Sequence, residues 1–394
     1  MENMPPRNTE SVIKYDVALL FPVLFLVGMG IVMVYSASSA LALKKYGTDL
    51  FFIKKQAIFS IAGFMALILF IHLPYRIYKA LAYPILLVAV GLLILIHIPG
   101  IGHSAGGSKR WILLAGVSFQ PSEFAKLAMI IFMAYSLNKK KDRMKEFSIG
   151  FMPHILMTGL LCGLIITQPD FGTVVIIGSI TLAMLFIGGA RISHLAGMLL
   201  VAVPVGGLFM TTADYRVRRL MSFWDPWKYP LDEGYQVVNS LMAFGNGGIW
   251  GQGMGKGVQK LFYLPEPHTD FIFSVIGEEL GLVGVLFILV LYSWIFWRGL
   301  MISLRTEDTF GSLLAAGITI ALGLQVFVNM GVALGLLPTK GLTLPFLSYG
   351  GTSLIFSMVS VGILMNISSG IQAIRPARSS SGRMRVKLSH ELSS

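Results

Sequence analysis

Asp270 closes the polar stretch Leu264-Pro265-Glu266-Pro267-His268-Thr269-Asp270, which runs straight into the apolar Phe271-Ile272-Phe273-Ser274-Val275-Ile276-Gly277. A carboxylate at the mouth of an apolar helix is costly unless it is hydrated or paired, so its presence points to work done at that boundary. Proton transfer is the chemistry a single acid offers there. Glu123 and Lys126 stand three apart after Pro121, on one face of a helix, and serve either as a structural ion pair or, through Lys126, as a ligand contact. Asp170 follows Gln168-Pro169 in a tight turn and is placed to cap the next helix. His268 could act as a base, but a single His without companion ligands is weak evidence for a metal. Glu278 and Glu279 lie about two turns beyond Asp270, so at least one must face the bundle or a wet cavity; on a regular helix Glu279 is opposite Asp270 and Glu278 about 80° away.

The elements that must position these groups are membrane helices. With 55% apolar and 13% charged residues over 394, and a mean hydropathy of +0.74, the chain is not a soluble globule. Charge-poor runs of roughly 20 residues, the length that spans a hydrocarbon core of about 30 Å, recur along it. They fall near 17–35, 56–73, 81–98, 121–137, 147–167, 171–189, 192–210, 271–297, 311–335 and 352–371, predicting an all-α polytopic membrane protein of about ten helices. The membrane domain covers residues 17–371, between an N-terminal tail of 1–16 and a basic tail of 372–394. The first run is too long for a signal peptide and stays as an anchor. Cys162 is the only cysteine, so neither a disulfide framework nor a cysteine metal cluster is available.

Short connections carrying Arg76, Lys79, Lys139-Lys140-Lys141, Arg143, Lys145, Arg191, Arg298 and Arg305 lie on one face with both termini, which the positive-inside rule makes cytoplasmic. Three larger loops, about 36–55, 99–120 and 211–270, then face outward between spans 1–2, 3–4 and 7–8. The basic runs are topology determinants, not nucleic-acid sites. Lys109, Arg110, Arg216, Arg218, Arg219, Lys228, Lys256 and Lys260 lie outside against the usual bias and make either a cationic vestibule for an anionic ligand or, for the three arginines, an interfacial helix. Trp224, Trp227 and Trp250 would anchor the long loop at the interface. The glycine-rich Gly251-Gln252-Gly253-Met254-Gly255-Lys256-Gly257 is not a nucleotide loop, because no Ser or Thr follows Lys256 and no strand precedes it; it permits close backbone approach. The spacings Gly277/Gly281 and Gly331/Gly335 suit close helix packing, and the second pair offers a face to a partner helix.

Val34-Tyr35-Ser36-Ala37-Ser38-Ser39, Arg110-Trp111-Ile112, Phe119 to Lys126, Gln168 to Thr173, Leu264 to Phe273 and Pro345 to Ser353 together resemble the SEDS family of shape, elongation, division and sporulation proteins, from about Asp16 to Ile371. The wording of 30–36 and 261–270 is most similar to the division member, with the elongation member second. The resemblance implies a peptidoglycan glycosyltransferase that joins lipid II units outside the bacterial cytoplasmic membrane, at the septum, with Asp270 as its essential acid. It also implies a class B penicillin-binding transpeptidase as partner, alongside other divisome membrane proteins. The chemistry agrees: a lipid-linked pyrophosphate leaves readily and needs cations, while the acceptor hydroxyl needs a base on the opposite face. Asp270 is assigned as that base. Arg110 and Lys126, with Glu123, His268, Asp170 and Lys256 around them, are the candidate substrate contacts. A divalent cation such as Mg2+ or Mn2+ can bridge the phosphates, without a dedicated cage in the sequence. Two alternatives are a lipid II flippase using Glu123 and Lys126, which no broken-helix repeat supports, and a noncatalytic scaffold in which Asp270 is dispensable.

The topology is checked by cysteine labelling in a Cys162→Ala background. An impermeant thiol reagent applied to spheroplasts is expected to label Lys256→Cys and spare Lys140→Cys; the reverse pattern inverts the orientation.

Overall fold

The computed structural model describes residues 15–105, 108–114, 117–211, 214–232, 234–261, 263–339 and 341–374; the N-terminal tail before residue 15, the basic tail beyond 374 and the side chains of Arg216 and Arg219 lie outside the described residues. Helices occupy each expected apolar run: α1 Val17–Tyr46, α2 Phe51–His72, α3 Arg76–Leu95, α4 Pro121–Lys139, α5 Met152–Ile166, α6 Phe171–Ile187, α7 Ile192–Thr211, α10 Ile272–Arg305, α11 Thr309–Ala333 and α12 Gly351–Ile374. Two further helices, α8 Asp214–Trp224 and α9 Tyr235–Gly247, fold within the long loop. Among the described residues seven helices are long and apolar enough to cross a membrane, and α6 and α7 are shorter apolar helices. The remaining one, α4, is buried over almost its whole length among α3, α6, α11 and α12. Leu87 and Leu200 stay 74% and 77% exposed on the outside of the bundle, as suits a chain solvated by lipid instead of water.

Three departures from the expected layout bear on the site. The segment 36–46, expected as loop, continues α1 to Tyr46, because its Ala, Leu and Lys residues all favour helix. Termination falls to Gly47, at φ 70°, whose N–H returns to Leu43 O. The loop 99–120 is not irregular: β1 Gly102–Ala105, β2 Ser108–Leu114 and β3 Val117–Phe119 form an antiparallel sheet, with Gly102 opposite Ile112 and Ile112 opposite Phe119. Buried Ile112 roots β2, while Thr352 Oγ1, in the first turn of α12, donates to Ser118 O at 3.0 Å. The chain is thus helical throughout its membrane part, with one small sheet at the Asp270 end.

The third departure is a break in α10, where an unbroken span was expected. Gly281 adopts φ 65°, ψ −165°, splitting the helix into 272–280 and 282–305. The glycine-rich loop after α9 fills the break: Leu282 N–H donates to Gly248 O at 2.9 Å, and the N–H groups of Gln252 and Gly253 donate to Glu278 O and Glu279 O at 2.9 and 3.0 Å. Glu278 and Glu279 have no exposed surface and are satisfied by the same loop. Val258 and Gln259 N–H donate to Glu278 at 3.0 and 3.2 Å, and Gly255 N–H donates to Glu279 at 3.0 Å. Lys260 pairs with Glu279 at 2.5 Å, and Ser36 of α1 donates to the same carboxylate at 2.7 Å. Lys260 is therefore a buried structural cation and not part of an open vestibule.

Gly331 and Gly335 are likewise used internally. A side chain on Gly331 would meet Leu337, and one on Gly335 would meet Val237 of α9, so the face offered to a partner helix is already filled. At the opposite end of the bundle Arg298 Nε donates to Asp16 at 2.9 Å, tying the start of α1 to the far half of α10.

Gly281→Ala tests the break. A Cβ there would lie 2.3 Å from Gly251 N in a conformation that L side chains rarely adopt; the backbone strain alone is worth about 1–3 kcal/mol. The detergent-solubilised variant is expected to unfold several degrees below the parent, and an unchanged midpoint would show that the break does not depend on glycine.

Candidate active site

Asp270 is the last loop residue but one before α10, because the polar 264–270 stretch is held in successive turns and helical bonding begins only after it. Its side chain is partly exposed. Gly341, in the α11–α12 connection, lies against it: a Cβ on Gly341 would be 3.3 Å from Asp270 Oδ2 and 3.8 Å from Arg110 Nη1. The acid and the guanidinium therefore converge on one small notch. The surrounding protein strips water from the carboxyl and, with the negative charge of Glu266 and a smaller push from Asp170, raises it to about 7 against the pull of Arg110. An acid so tuned exchanges protons readily near neutral pH.

Arg110 projects from β2 and is fixed by the α5–α6 turn. Its Nε donates to Gln168 O at 3.2 Å, a second nitrogen donates to Pro169 O, and Nη1 lies 3.9 Å from Asp170 Oδ1. Asp170 is buried and does the capping its position suggested: it accepts from Thr173 N at 3.2 Å and from Thr173 Oγ1 at 2.8 Å. Capping is compatible with its second role as a neighbour of Arg110.

Residues 17–372 match the FtsW/RodA/SpoVE family, described as "Cell cycle protein". The chain belongs to this family. It is 46% identical over 362 residues to the probable peptidoglycan glycosyltransferase FtsW of Geobacter metallireducens, covering 92% of this chain and 96% of that one. It is 40% identical over 353 residues to stage V sporulation protein E of Bacillus subtilis, covering 90% and 96%. Among solved structures it is similar to a chain of a peptidoglycan synthase complex that coordinates polymerization and crosslinking, with TM-score 0.75, 29% identity and coverage of 91% and 98%. The Thermus thermophilus rod shape determining protein RodA gives TM-score 0.67 at 28% identity, covering 91% and 97%. The fold is that of a multi-pass membrane protein of the FtsW/RodA/SpoVE family.

Within this family fold the other candidate residues fall into separate settings. Lys126 pairs with Glu123 at 2.8 Å, both buried, and its ammonium also donates to Gln325 Oε1 at 2.8 Å. Gln325 Nε2 in turn donates to Thr343 O at 3.0 Å, so the pair reaches the Gly341 region through one amide. His268 is buried between Phe52 and Tyr349, with ring centroids 4.4 and 5.5 Å away. Burial, followed by the charge of Lys45, pushes it down to about 4, so it is neutral at physiological pH and packs as an aromatic. Lys256 is exposed on the glycine-rich loop, free to meet an anion from solution.

Asn329, Gln325, Ser348 and Gly341 were not singled out from sequence. Asn329 and Gln325 carried a usable signal, being isolated amides in an otherwise apolar run. Ser348 stood inside a quoted motif without a role, and a glycine that leaves a notch has no signature of its own. Among the described residues no group of three or more His, Cys, Asp or Glu side chains could hold a metal ion.

The Glu123 and Lys126 pair is testable by a double-mutant cycle. Either residue changed alone to Ala strands a buried charge and is expected to cost about 3–5 kcal/mol, while the double change recovers much of that loss. Thermal unfolding of the three variants is the measurement, and additive losses would refute the coupling.

Proposed function

We propose that the chain is a peptidoglycan glycosyltransferase that polymerises lipid II at the outer face of the bacterial cytoplasmic membrane and serves septal wall synthesis in cell division. The observation that carries this reading is Asp270, a partly exposed carboxylate with an acidity tuned to about 7, facing Arg110 across the Gly341 notch. The similarity over more than nine-tenths of the chain to a relative named peptidoglycan glycosyltransferase supplies the substrate class.

In this mechanism Asp270 takes the proton from the acceptor sugar hydroxyl as its oxygen attacks the anomeric carbon of the donor. The bond from that carbon to the pyrophosphate breaks on the opposite face, and undecaprenyl pyrophosphate leaves with both bonding electrons, inverting the centre. Arg110 offsets the charge that develops on the leaving group, and exposed Lys256 is available to guide it in. Asp170 keeps Arg110 in place. Lys126 and Glu123 support the same wall through Gln325, which is how a buried pair contributes to substrate binding without an open surface of its own. A divalent cation such as Mg2+ or Mn2+ would be held chiefly by the pyrophosphate itself, since the described residues offer no group of three or more His, Cys, Asp or Glu ligands, and it would supply charge screening.

The outward orientation of Asp270 rests on the Lys and Arg distribution. The likeness to a chain of a synthase complex that coordinates polymerization and crosslinking supports a crosslinking transpeptidase as partner; that this is a class B penicillin-binding protein, joined by other divisome proteins, follows from the family resemblance. The elongation role is the neighbouring alternative within the family. The break in α10 is a feature that transporters use, but here the glycine-rich loop fills it with backbone hydrogen bonds, so it does not favour a flippase.

Asp270→Asn keeps the side-chain size and loses the base, and it is expected to lower polymerisation by about 10²–10⁴ while lipid II binding persists. Glycan synthesis from purified lipid II, with every other glycosyltransferase excluded, is the assay. Normal polymer from folded Asp270→Asn would falsify the assignment. The parent rate should fall as pH drops through about 7, because the base must be ionised and its acidity lies there; a rate flat down to pH 5 contradicts it.

A further inference from the structure

Three consecutive peptide carbonyls lead up to Asp270, and each accepts a hydrogen bond from a different donor in α11 or the α11–α12 connection. Tyr349 N–H donates to His268 O at 2.8 Å, Ser348 Oγ to Thr269 O at 2.6 Å, and Asn329 Nδ2 to Asp270 O at 2.9 Å. None of these carbonyls has begun the regular bonding of α10, since Ser274 N–H, which would reach Asp270 O in a continuing helix, donates to Phe271 O. Without those donors the turn would be free to rotate the acid.

Two of the donors bind on both sides of the notch. The Asn329 amide nitrogen also donates to Leu342 O at 2.6 Å, so one buried group grips the carbonyls of Asp270 and of Leu342, the neighbour of Gly341, on which a Cβ would lie 3.3 Å from Asp270 Oδ2. Ser348 Oγ accepts from Leu344 N–H at 2.8 Å while it donates to Thr269 O, repeating the bridge one turn further along the loop. Both residues are almost fully buried. Neither hydrogen-bonds the carboxylate itself, so neither is a catalytic residue.

We propose that Asn329 and Ser348 are positioning residues for Asp270: by bridging the 268–270 turn to the 341–344 loop they set the width of the gap in which the carboxylate meets the acceptor hydroxyl. This rests on the reading of Asp270 as the base. Misplacing a reacting group by about 1 Å costs on the order of 10²-fold in rate with little effect on binding.

The test uses the full chain with a class B penicillin-binding protein present, lipid II as substrate, and kcat, KM and the pH profile as readouts. Asn329→Ala and Ser348→Ala are expected to lower kcat by about 10–100-fold with KM within about two-fold of the parent. The acid limb of the profile should move toward lower pH, because a released carboxylate regains water. Ser348→Thr keeps the hydroxyl and should retain most of the parental kcat. Folded variants with kcat within about two-fold of parent, a rise in KM at unchanged kcat, or Ser348→Thr as impaired as Ser348→Ala would each overturn the proposal. If Asn329→Ala fails to fold, Ser348→Ala, which removes only a hydroxyl, decides. Asp270→Asn run in parallel separates the two readings: an active Asp270→Asn removes the base assignment and this proposal with it, whereas an inactive Asp270→Asn beside fully active Asn329→Ala and Ser348→Ala removes this proposal alone.

Discussion

A carboxylate taken out of water must be neutralised or surrounded by donors, and at the break in α10 that demand falls on two adjacent residues at once. Glu278 and Glu279 are both fully enclosed. The unpaired cost of one such charge amounts to several kcal/mol, comparable to the whole net stability of many domains. The loop 251–260 answers it with main-chain N–H groups and Lys260. The consequence is architectural: the loop cannot drift from the bundle without stranding two acids, so a long connection between spans becomes part of the wall behind the half-helix that carries Asp270.

Asp270 is treated differently from the ion-paired acids near it, while Glu266 on the same loop stands exposed to water. Glu123 has Lys126, Glu279 has Lys260, and Asp170 has Thr173 and Arg110. Asp270 has no ion pair at contact distance among the described residues, and its backbone, not its carboxylate, is what the neighbouring loop grips. Desolvation without pairing is an energetically poor arrangement for stability, and it is what raises the group into the range useful for proton transfer. The contrast separates acids that hold the fold from the one acid that the fold holds.

The membrane helices were legible because a long charge-poor run has few alternatives in a bilayer, and Asp270 was legible because an acid at such a boundary needs a reason. The capping by Asp170 followed from its place after a Pro turn. What could not be read depended on contacts between distant segments. Lys260 looked like one more external cation until Glu279, nineteen residues away, was seen to bury it. The break at Gly281 arises because the 248–253 backbone competes for the helix's own hydrogen bonds, which no local pattern in α10 announces. The small sheet was missed although its pairings are local, because strands of three to seven residues such as Ser108–Leu114 carry no clean apolar–polar alternation to set them apart from loop.

The length of α1 bears on where chemistry takes place. Thirty residues make a rod of about 45 Å, some 15 Å more than a hydrocarbon core of about 30 Å. The excess is braced from two elements: Ser36 touches Glu279 of α10, and further along Tyr46 packs on Phe52 of α2, which packs on His268 in the loop before α10. Two stiff segments braced side by side act as a ruler, fixing the acid's altitude at roughly 15 Å above the Ser36 contact. On the proposed reading, a substrate anchored by its lipid tail would have to project its reacting hydroxyl to that altitude.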